Sequence, residues 1–190
     1  MNSAPLSKVK ARAELEWRER QKAKQAELRL LSKVAFAART QIELPNDART
    51  EVAYVPFVFW PAQADVMGTM EHERLTVYLK SRQVGISWVA CLFALFNCSL
   101  YPGYPVVCIS RSQDDAEELI HRISFMYHQH QDKRWLSRLV KDNTGDLEWA
   151  NGSSVISIAA TKNAGRSLTA ALAILDEWAF MAWPRQTLAA

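Results

Sequence analysis

The sequence predicts an α/β fold in which a mostly parallel β-sheet is flanked by helices and preceded by a basic helical arm. Two observations support this fold class. Between residues 75 and 175, short apolar runs typical of buried strands alternate with helical segments. Residues 1–40 are rich in helix-forming residue types and in basic side chains. We therefore expect an arm and linker over residues 1–45 and an α/β domain over residues 46–190.

The composition narrows the class of protein. Hydrophobic residues make up 49% of the 190 residues and charged residues 23%, as in globular domains. No apolar run approaches the roughly 20 residues that span a bilayer, and the first residues lack the apolar core of a signal peptide. We therefore expect no membrane association and a cytosolic protein. Cys91, Cys98 and Cys108 are expected to be reduced, because their spacing matches neither a redox pair nor a metal knuckle.

The net charge of the arm differs from that of the remaining chain. Residues 1–40 contain ten basic and four acidic residues, whereas the rest contains 13 basic and 16 acidic residues. No Gly or Pro interrupts residues 7–39, so we predict one long helix that docks on the body from about residue 28. Such an arm can bind nucleic acid or another acidic partner, or it can be a solvated helix. Residues 40–56 read as a linker or loop.

The first part of the body reads as helix, strand, loop and helix. A short helix is predicted over residues 61–73, with Pro61 in its first turn, where a missing N–H is harmless. The apolar run 75–79 is a strand candidate. It leads through a polar loop into an apolar helix over residues 88–98, which we expect to be buried.

The second part of the body supplies further strands. Residues 106–110 are continuously apolar, as in a central parallel strand. Ser112 is predicted to cap a helix. That helix has an apolar stripe at a spacing of three to four residues, formed by Ala116, Leu119, Ile120, Ile123 and Met126 or Tyr127. The Asn-Gly pair at 151–152 predicts a hairpin between residues 147 and 158. Residues 171–175 form another buried strand candidate.

The loop over residues 80–87 has features of a phosphate-binding loop. Gly85 permits a close approach of the backbone, and Ser87 can offer its hydroxyl to Mg²⁺ at the start of a helix. The usual G-x-x-x-x-G-K-[ST] pattern fails, since Ile86 stands where the lysine is expected. Lys80, at the other end of the loop, can supply the cation, and Arg82 is a second possible donor. The alternative is an ordinary strand–helix turn with a basic edge.

Two adjacent acids, Asp176 and Glu177, follow the last apolar strand candidate. In phosphoryl-transfer sites one acid holds hydrated Mg²⁺, and a second orients or deprotonates the attacking water. The alternative is a pair of acids that cap the following helix. Because ligand sites in parallel sheets lie beyond the carboxyl ends of the strands, we expect these acids and the 80–87 loop to converge.

Taken in order, these motifs resemble the ATPase portion of the large subunit of tailed-phage terminases. The resemblance covers about residues 55–182. Its parts are Phe59-Trp60-Pro61-Ala62-Gln63, Lys80-Ser81-Arg82-Gln83-Val84-Gly85-Ile86-Ser87, Val107-Cys108-Ile109-Ser110-Arg111-Ser112, Asn151-Gly152-Ser153, Ala164-Gly165-Arg166-Ser167 and Ile174-Leu175-Asp176-Glu177-Trp178-Ala179-Phe180. Terminases often have the lysine at the start of the phosphate loop, as Lys80 is here. The resemblance implies a P-loop NTPase fold.

The resemblance also implies roles for individual residues. Gln63 resembles a glutamine that senses adenine, and Arg166 an arginine that reaches the nucleotide of a neighbouring subunit. Asp176 resembles the metal-coordinating acid and Glu177 the catalytic glutamate. The alternative for Gln63 is an ordinary residue on a helix surface, and the alternative for Arg166 is an ion pair within the loop. The loop residues expected to bind ATP are Lys80, Ser81, Arg82, Gln83, Val84, Gly85, Ile86 and Ser87, of which Ser87 also binds Mg²⁺.

The function implied by the resemblance is ATP hydrolysis with Mg²⁺, coupled to packaging of double-stranded viral DNA into a procapsid. The implied partners are the terminase small subunit, the portal protein and further copies of the chain in a ring, in the host bacterial cytoplasm. Because terminases continue into a nuclease domain and this chain stops 13 residues after Glu177, we expect it to be their front part. The alternatives are a helicase-like translocase fragment, disfavoured by Trp178-Ala179 after the acids, and a non-catalytic remnant that binds partners through its basic helix.

Overall fold

The computed structural model describes residues 32–43, 54–81, 83–164 and 168–188 of the chain. The strands in these ranges are β1 (Gln41–Glu43), β2 (Tyr54–Pro56), β3 (Pro105–Ser110), β4 (Leu139–Asp142), β5 (Asp146–Trp149), β6 (Ser154–Ala159) and β7 (Leu172–Leu175). The helices are α1 (Pro61–His72), α2 (Ile86–Leu100), α3 (Gln113–Gln129) and α4 (Pro184–Leu188). Residues 32–37 are also helical, and Lys133–Trp135 and Trp178–Phe180 form single 3₁₀ turns.

The main sheet has five strands in the order β4-β5-β6-β3-β7. β3 lies parallel to both β6 and β7, whereas β4, β5 and β6 are joined by antiparallel pairing. The α/β class is confirmed, but the sheet is mixed, and the expectation of a mostly parallel sheet was wrong. The difference arises because the strands between residues 139 and 159 follow one another as hairpins, which close only antiparallel pairs.

The central strand β3 is buried on both faces. Val106 and Cys108 point into the larger core, whereas Val107 and Ile109 point into a smaller cluster on the opposite face. This separation follows from the two-residue period of a strand. Within the described chain, Met181 packs in the smaller cluster, so the segment after β7 covers that face.

The larger core is built on α2, whose residues 89–98 are all buried. This helix packs against α3 on one side and α1 on the other, while α3 lies on β3 and β6. The apolar stripe predicted for α3 is confirmed, since Ala116, Leu119, Ile120, Ile123 and Met126 are buried. The predicted cap is also confirmed, because the Ser112 side chain accepts a hydrogen bond from the backbone N–H of Asp115.

The predicted hairpin is present as β5 and β6, which pair antiparallel. Gly152 in its turn has a φ of 83°, a conformation that favours glycine. β7 also lies where a strand was predicted. It is only partly buried, however, because it is an edge strand of the described sheet.

Three segments differ from the predictions. Residues 75–79 were predicted to form a strand, but they are irregular, and Leu75, Val77 and Leu79 are exposed. The strand β4 was not predicted. Residues 40–56 were predicted as a linker or loop, yet β1 and β2 within them pair as a small antiparallel sheet.

The helical residues 32–37 are anchored to the body. Phe36 is fully buried and its ring packs edge-on against Phe96 of α2. Lys33 is buried, forms an ion pair with Glu71 of α1 and lies over the Phe96 ring. The part of the predicted arm before residue 32, including its docking near residue 28, lies outside the described residues.

Candidate functional site

The loop before α2 turns sharply into the helix. Gln83 and Gly85 both have left-handed backbone conformations, with φ of 63° and 73°. Gly85 is the N-cap of α2, so the free backbone N–H groups of the first helical turn face the loop. Helix N-termini with this arrangement favour anionic ligands.

Gln63 holds this loop in place. Its side-chain oxygen accepts a hydrogen bond from the backbone N–H of Trp60 at 3.0 Å, and its amide nitrogen donates to the Val84 carbonyl at 3.0 Å. The side chain is 6% exposed, so Gln63 is not a helix-surface residue. A Cβ atom on Gly85 would lie 2.7 Å from Gln63 Nε2, which explains why this position suits glycine.

Side chains from the two ends of this loop meet the carboxylate of Asp176, which is 89 residues beyond Ser87. The Ser87 hydroxyl donates a hydrogen bond to Asp176 Oδ2 at 2.9 Å. The Lys80 amine lies 3.9 Å from Asp176 Oδ1. The loop and the first of the two acids therefore converge, as expected from the sequence.

The sheet fixes the position of Asp176. Its backbone N–H donates to the Ile109 carbonyl at 3.0 Å and so extends the pairing between β7 and β3. The Ser110 hydroxyl, at the end of β3, donates to the Asp176 carbonyl at 3.4 Å. Asp176 thus lies at the carboxyl ends of two parallel strands, where α/β sheets bind ligands.

Glu177 takes a different direction from its neighbour. Its backbone is left-handed, with a φ of 54°, which costs a residue other than glycine on the order of 1 kcal/mol. Its carboxylate lies 3.5 Å from Arg111 Nε and is 44% exposed. The two adjacent acids therefore contact different partners, Asp176 the loop and Glu177 the end of β3.

Arg111 belongs to the terminase-like motif over residues 107–112, and the sequence indicates no role for it. Its Nε donates to Asp115 Oδ2 at 2.7 Å, and the Ser112 hydroxyl donates to the same oxygen at 2.5 Å. These hydrogen bonds, chiefly the one from Arg111, hold the pKa of Asp115 below its usual value. The Asp115 carboxylate in turn raises the pKa of Arg111. A basic residue directly after a buried strand was the available sequence signal.

The loop before α2 and residues at the ends of β3 and β7 line one open cleft of about 1580 Å³. Its walls include the irregular segment before α2, the first turn of α2 and the residues at and after β7. The polar residues facing it include Gln63, Lys80, Ser87, Arg111, Asp176 and Glu177. Among the described residues, no group of three or more His, Cys, Asp or Glu side chains is placed to hold a metal ion by itself.

The remaining predicted site residues are distributed as follows. Ser81 and Gln83 are exposed, and Ile86 is the first residue of α2. Arg82 and Arg166 lie outside the described residues. Cys91, Cys98 and Cys108 are free and buried, and burial raises the pKa of all three thiols.

A family model matches more than half of the chain and includes the loop, the strand ends and both acids. It is described as terminase large subunit, T4likevirus-type, N-terminal, and it matches residues 77–190. The chain belongs to this family. The terminase resemblance read from the sequence is thereby confirmed, and with it a role in phage DNA packaging.

Terminase large subunits are generally ATPases, and they package DNA with a small subunit and a portal. A comparison with curated proteins gave no match. In the described part of this terminase chain, every helix is too short or too polar to cross a bilayer.

Proposed function

We propose that this terminase chain binds Mg-ATP in the cleft at the ends of β3 and β7, and that it couples ATP hydrolysis to the packaging of double-stranded DNA into a procapsid. One observation carries the proposal. The Ser87 hydroxyl and the Lys80 amine, from the two ends of one loop, both contact the carboxylate of Asp176. A hydroxyl, an amine and a carboxylate at a helix N-terminus suit a metal-bound triphosphate.

The oxygen atoms present fit a magnesium ion. Mg²⁺ binds oxygen ligands in an octahedron with bonds of about 2.0–2.1 Å, so neighbouring ligand oxygens lie about 2.9 Å apart. Ser87 Oγ and Asp176 Oδ2 are 2.9 Å apart. Mg²⁺ in nucleotide sites usually has one or two protein ligands, with phosphate oxygens and water supplying the rest. Ser87 and Asp176 would hold the ion, which would neutralise charge on the phosphates.

The remaining groups have distinct roles in this proposal. The Lys80 amine binds phosphate oxygens, and the backbone N–H groups at the start of α2 add further donors. The Glu177 carboxylate accepts a proton from the water that attacks the terminal phosphate. Both Lys80 and Glu177 line the cleft.

We further propose that the domain over residues 46–190 is a P-loop NTPase. The parallel group β6-β3-β7 and the position of the cleft at the carboxyl ends of its strands support this fold. Within it, Gln63 contacts adenine, Arg82 contacts phosphate or orders the loop, and Arg166 reaches a neighbouring subunit's nucleotide. Gln63 lines the cleft, as contact with the adenine of a bound nucleotide requires.

The partners in this proposal are double-stranded DNA, the small subunit, the portal and further copies of the chain in a ring, in the cytoplasm of the host bacterium. The net charge of +6 over residues 1–40 supports contact of the arm with DNA or another acidic component.

Substitution of the two charged groups tests the ATPase. We expect Lys80→Ala and Glu177→Gln each to lower ATP turnover at least about 100-fold, because one removes the phosphate cation and the other the general base. Turnover is measured by phosphate release with and without double-stranded DNA, beside nucleotide binding by calorimetry. Lys162→Ala and Glu148→Gln remove exposed charges outside the cleft and serve as controls.

Two outcomes would contradict the proposal. Near-normal turnover in both variants would show that the site is misassigned. Absence of Mg-ATP binding by the unsubstituted chain would favour the alternative of a remnant that only binds partners.

A further inference from the structure

We propose that Arg111 is a positioning residue that orients the carboxylate of Glu177 for water activation. The inference rests on the proposed ATPase function and adds a residue to its site. It starts from a contact between two neighbouring strand ends: Arg111 directly follows β3, Glu177 lies two residues after β7, and these strands are parallel neighbours. Arg111 Nε lies 3.5 Å from Glu177 Oε2.

The Arg111 guanidinium, on a side chain that is 53% exposed, is anchored to the first turn of α3. Arg111 Nε donates to Asp115 Oδ2 at 2.7 Å, and a second nitrogen lies 3.5 Å from Asp115 Oδ1. Asp115 is in the first turn of α3, and Ser112 binds both its carboxylate and its backbone N–H. Asp115 therefore holds the guanidinium by a hydrogen bond, while Glu177 Oε2 lies 3.5 Å from the same Nε as an ion-pair partner.

Glu177 needs such a partner because little else holds its side chain. The carboxylate is 44% exposed, and the residue sits in a turn with a left-handed backbone. Within the described ranges, no basic side chain other than Arg111 forms an ion pair with it. A general base has to lie within hydrogen-bond reach of the water it deprotonates, so a carboxylate free to rotate is a poorer base.

This arrangement predicts a specific kinetic pattern. Arg111→Gln is expected to lower kcat for ATP hydrolysis about 10- to 100-fold, while KM changes less than about twofold. The kcat of Arg111→Lys is expected to lie between those of the unsubstituted chain and of Arg111→Gln, since lysine keeps the charge but lacks the planar fork. In a Glu177→Gln background, Arg111→Gln is expected to have no further effect, because the group that it positions is already lost.

A binding measurement supplements the kinetics. ADP with aluminium fluoride resembles the transferring phosphate with its attacking water in place. We expect Arg111→Gln to weaken binding of this complex about tenfold or more, and binding of ADP alone less than about twofold. Arg134→Gln is the control, because Arg134 is an exposed arginine that forms an ion pair with Asp132 outside the cleft. Thermal unfolding of each variant establishes that it is folded.

The outcomes separate the two proposals. If the unsubstituted chain binds Mg-ATP and Arg111→Gln changes neither kcat nor binding of the fluoride complex, the role of Arg111 is refuted while the ATPase site stands. If Arg111→Gln lowers kcat by the same factor in the Glu177→Gln background as in the unsubstituted chain, Arg111 acts on the nucleotide and not through Glu177. This outcome also refutes the positioning role. If the unsubstituted chain binds no nucleotide, the proposed function fails and this inference fails with it.

Discussion

The two walls of the cleft differ in how they are held. One wall is formed by β3, β7 and α2, and it is backed by the core; Leu92 of α2, which lies behind this wall, is 0% exposed, whereas the edge strand β7 is partly buried. The other wall is the irregular segment over residues 73–81, in which Leu75, Val77 and Leu79 are exposed; Leu79 is 102% exposed. Chemically similar side chains therefore have opposite surroundings on the two sides of the same site.

The difference shows which contacts assemble the site. The segment that carries Lys80 has little buried apolar surface, so its position depends on a few polar contacts. Those contacts include the ion pair of Lys80 with Asp176 and the hydrogen bond from Tyr78 to the Val66 carbonyl, and beyond the segment Gln63 donates to the Val84 carbonyl. The stability of the domain and the geometry of the cleft are therefore expected to respond to different substitutions.

The largest effect on stability is expected from the packed wall. Leu92→Ala removes a fully buried side chain from the middle of α2, and such substitutions cost about 2–5 kcal/mol through lost burial and a remaining cavity. Urea unfolding followed by circular dichroism measures the change. A loss below about 1 kcal/mol would show that α2 is not the centre of the core.

A smaller but more local effect is expected at Gly85, where the two walls join. Gly85→Ala places a Cβ atom 2.7 Å from Gln63 Nε2 and adds strain at a φ of 73°. We expect a loss of about 1–2 kcal/mol in unfolding free energy and about tenfold weaker Mg-ATP binding, since the loop moves away from Gln63.

Gly103→Ala is the matched control for this substitution. Gly103 has a similar φ of 66°, but a Cβ atom there meets nothing within 4 Å. The control thus imposes the backbone strain without the clash. Equal effects of the two substitutions on nucleotide binding would contradict the role of the Gly85–Gln63 contact.

The sequence predicted best those elements whose signals are local. The α3 stripe and the Ser112 cap depend on spacing within one helix, and the Asn-Gly turn of the hairpin on two adjacent residues. The edge strand β4 was missed because its residues Leu139–Asp142 mix polar and apolar types. The pairing of β1 with β2 was missed because the two strands are three residues each and lie in a segment rich in turn residues.

The site shows the same division between local signals and tertiary contacts. The meeting of Lys80, Ser87 and Asp176 followed from loop chemistry and from the rule that ligand sites lie at strand ends. The contact of Arg111 with Glu177 could not be predicted, because it depends on β3 and β7 being neighbours and on a left-handed turn. The burial of Gln63 under the loop likewise depends on how α1 packs.

The smallest effect is expected at the exposed wall. Leu79→Asn replaces a fully exposed apolar side chain, so the unfolding free energy is expected to change by less than about 0.5 kcal/mol. Leu175→Asn, which alters a partly buried residue of β7, is the control and is expected to lower the unfolding free energy more. Urea unfolding measures both. A loss of unfolding free energy above about 1 kcal/mol for Leu79→Asn would mean that residues 75–79 are buried. A strand paired with the open edge of β7 would be buried in this way, and both walls of the cleft would then belong to one packed sheet.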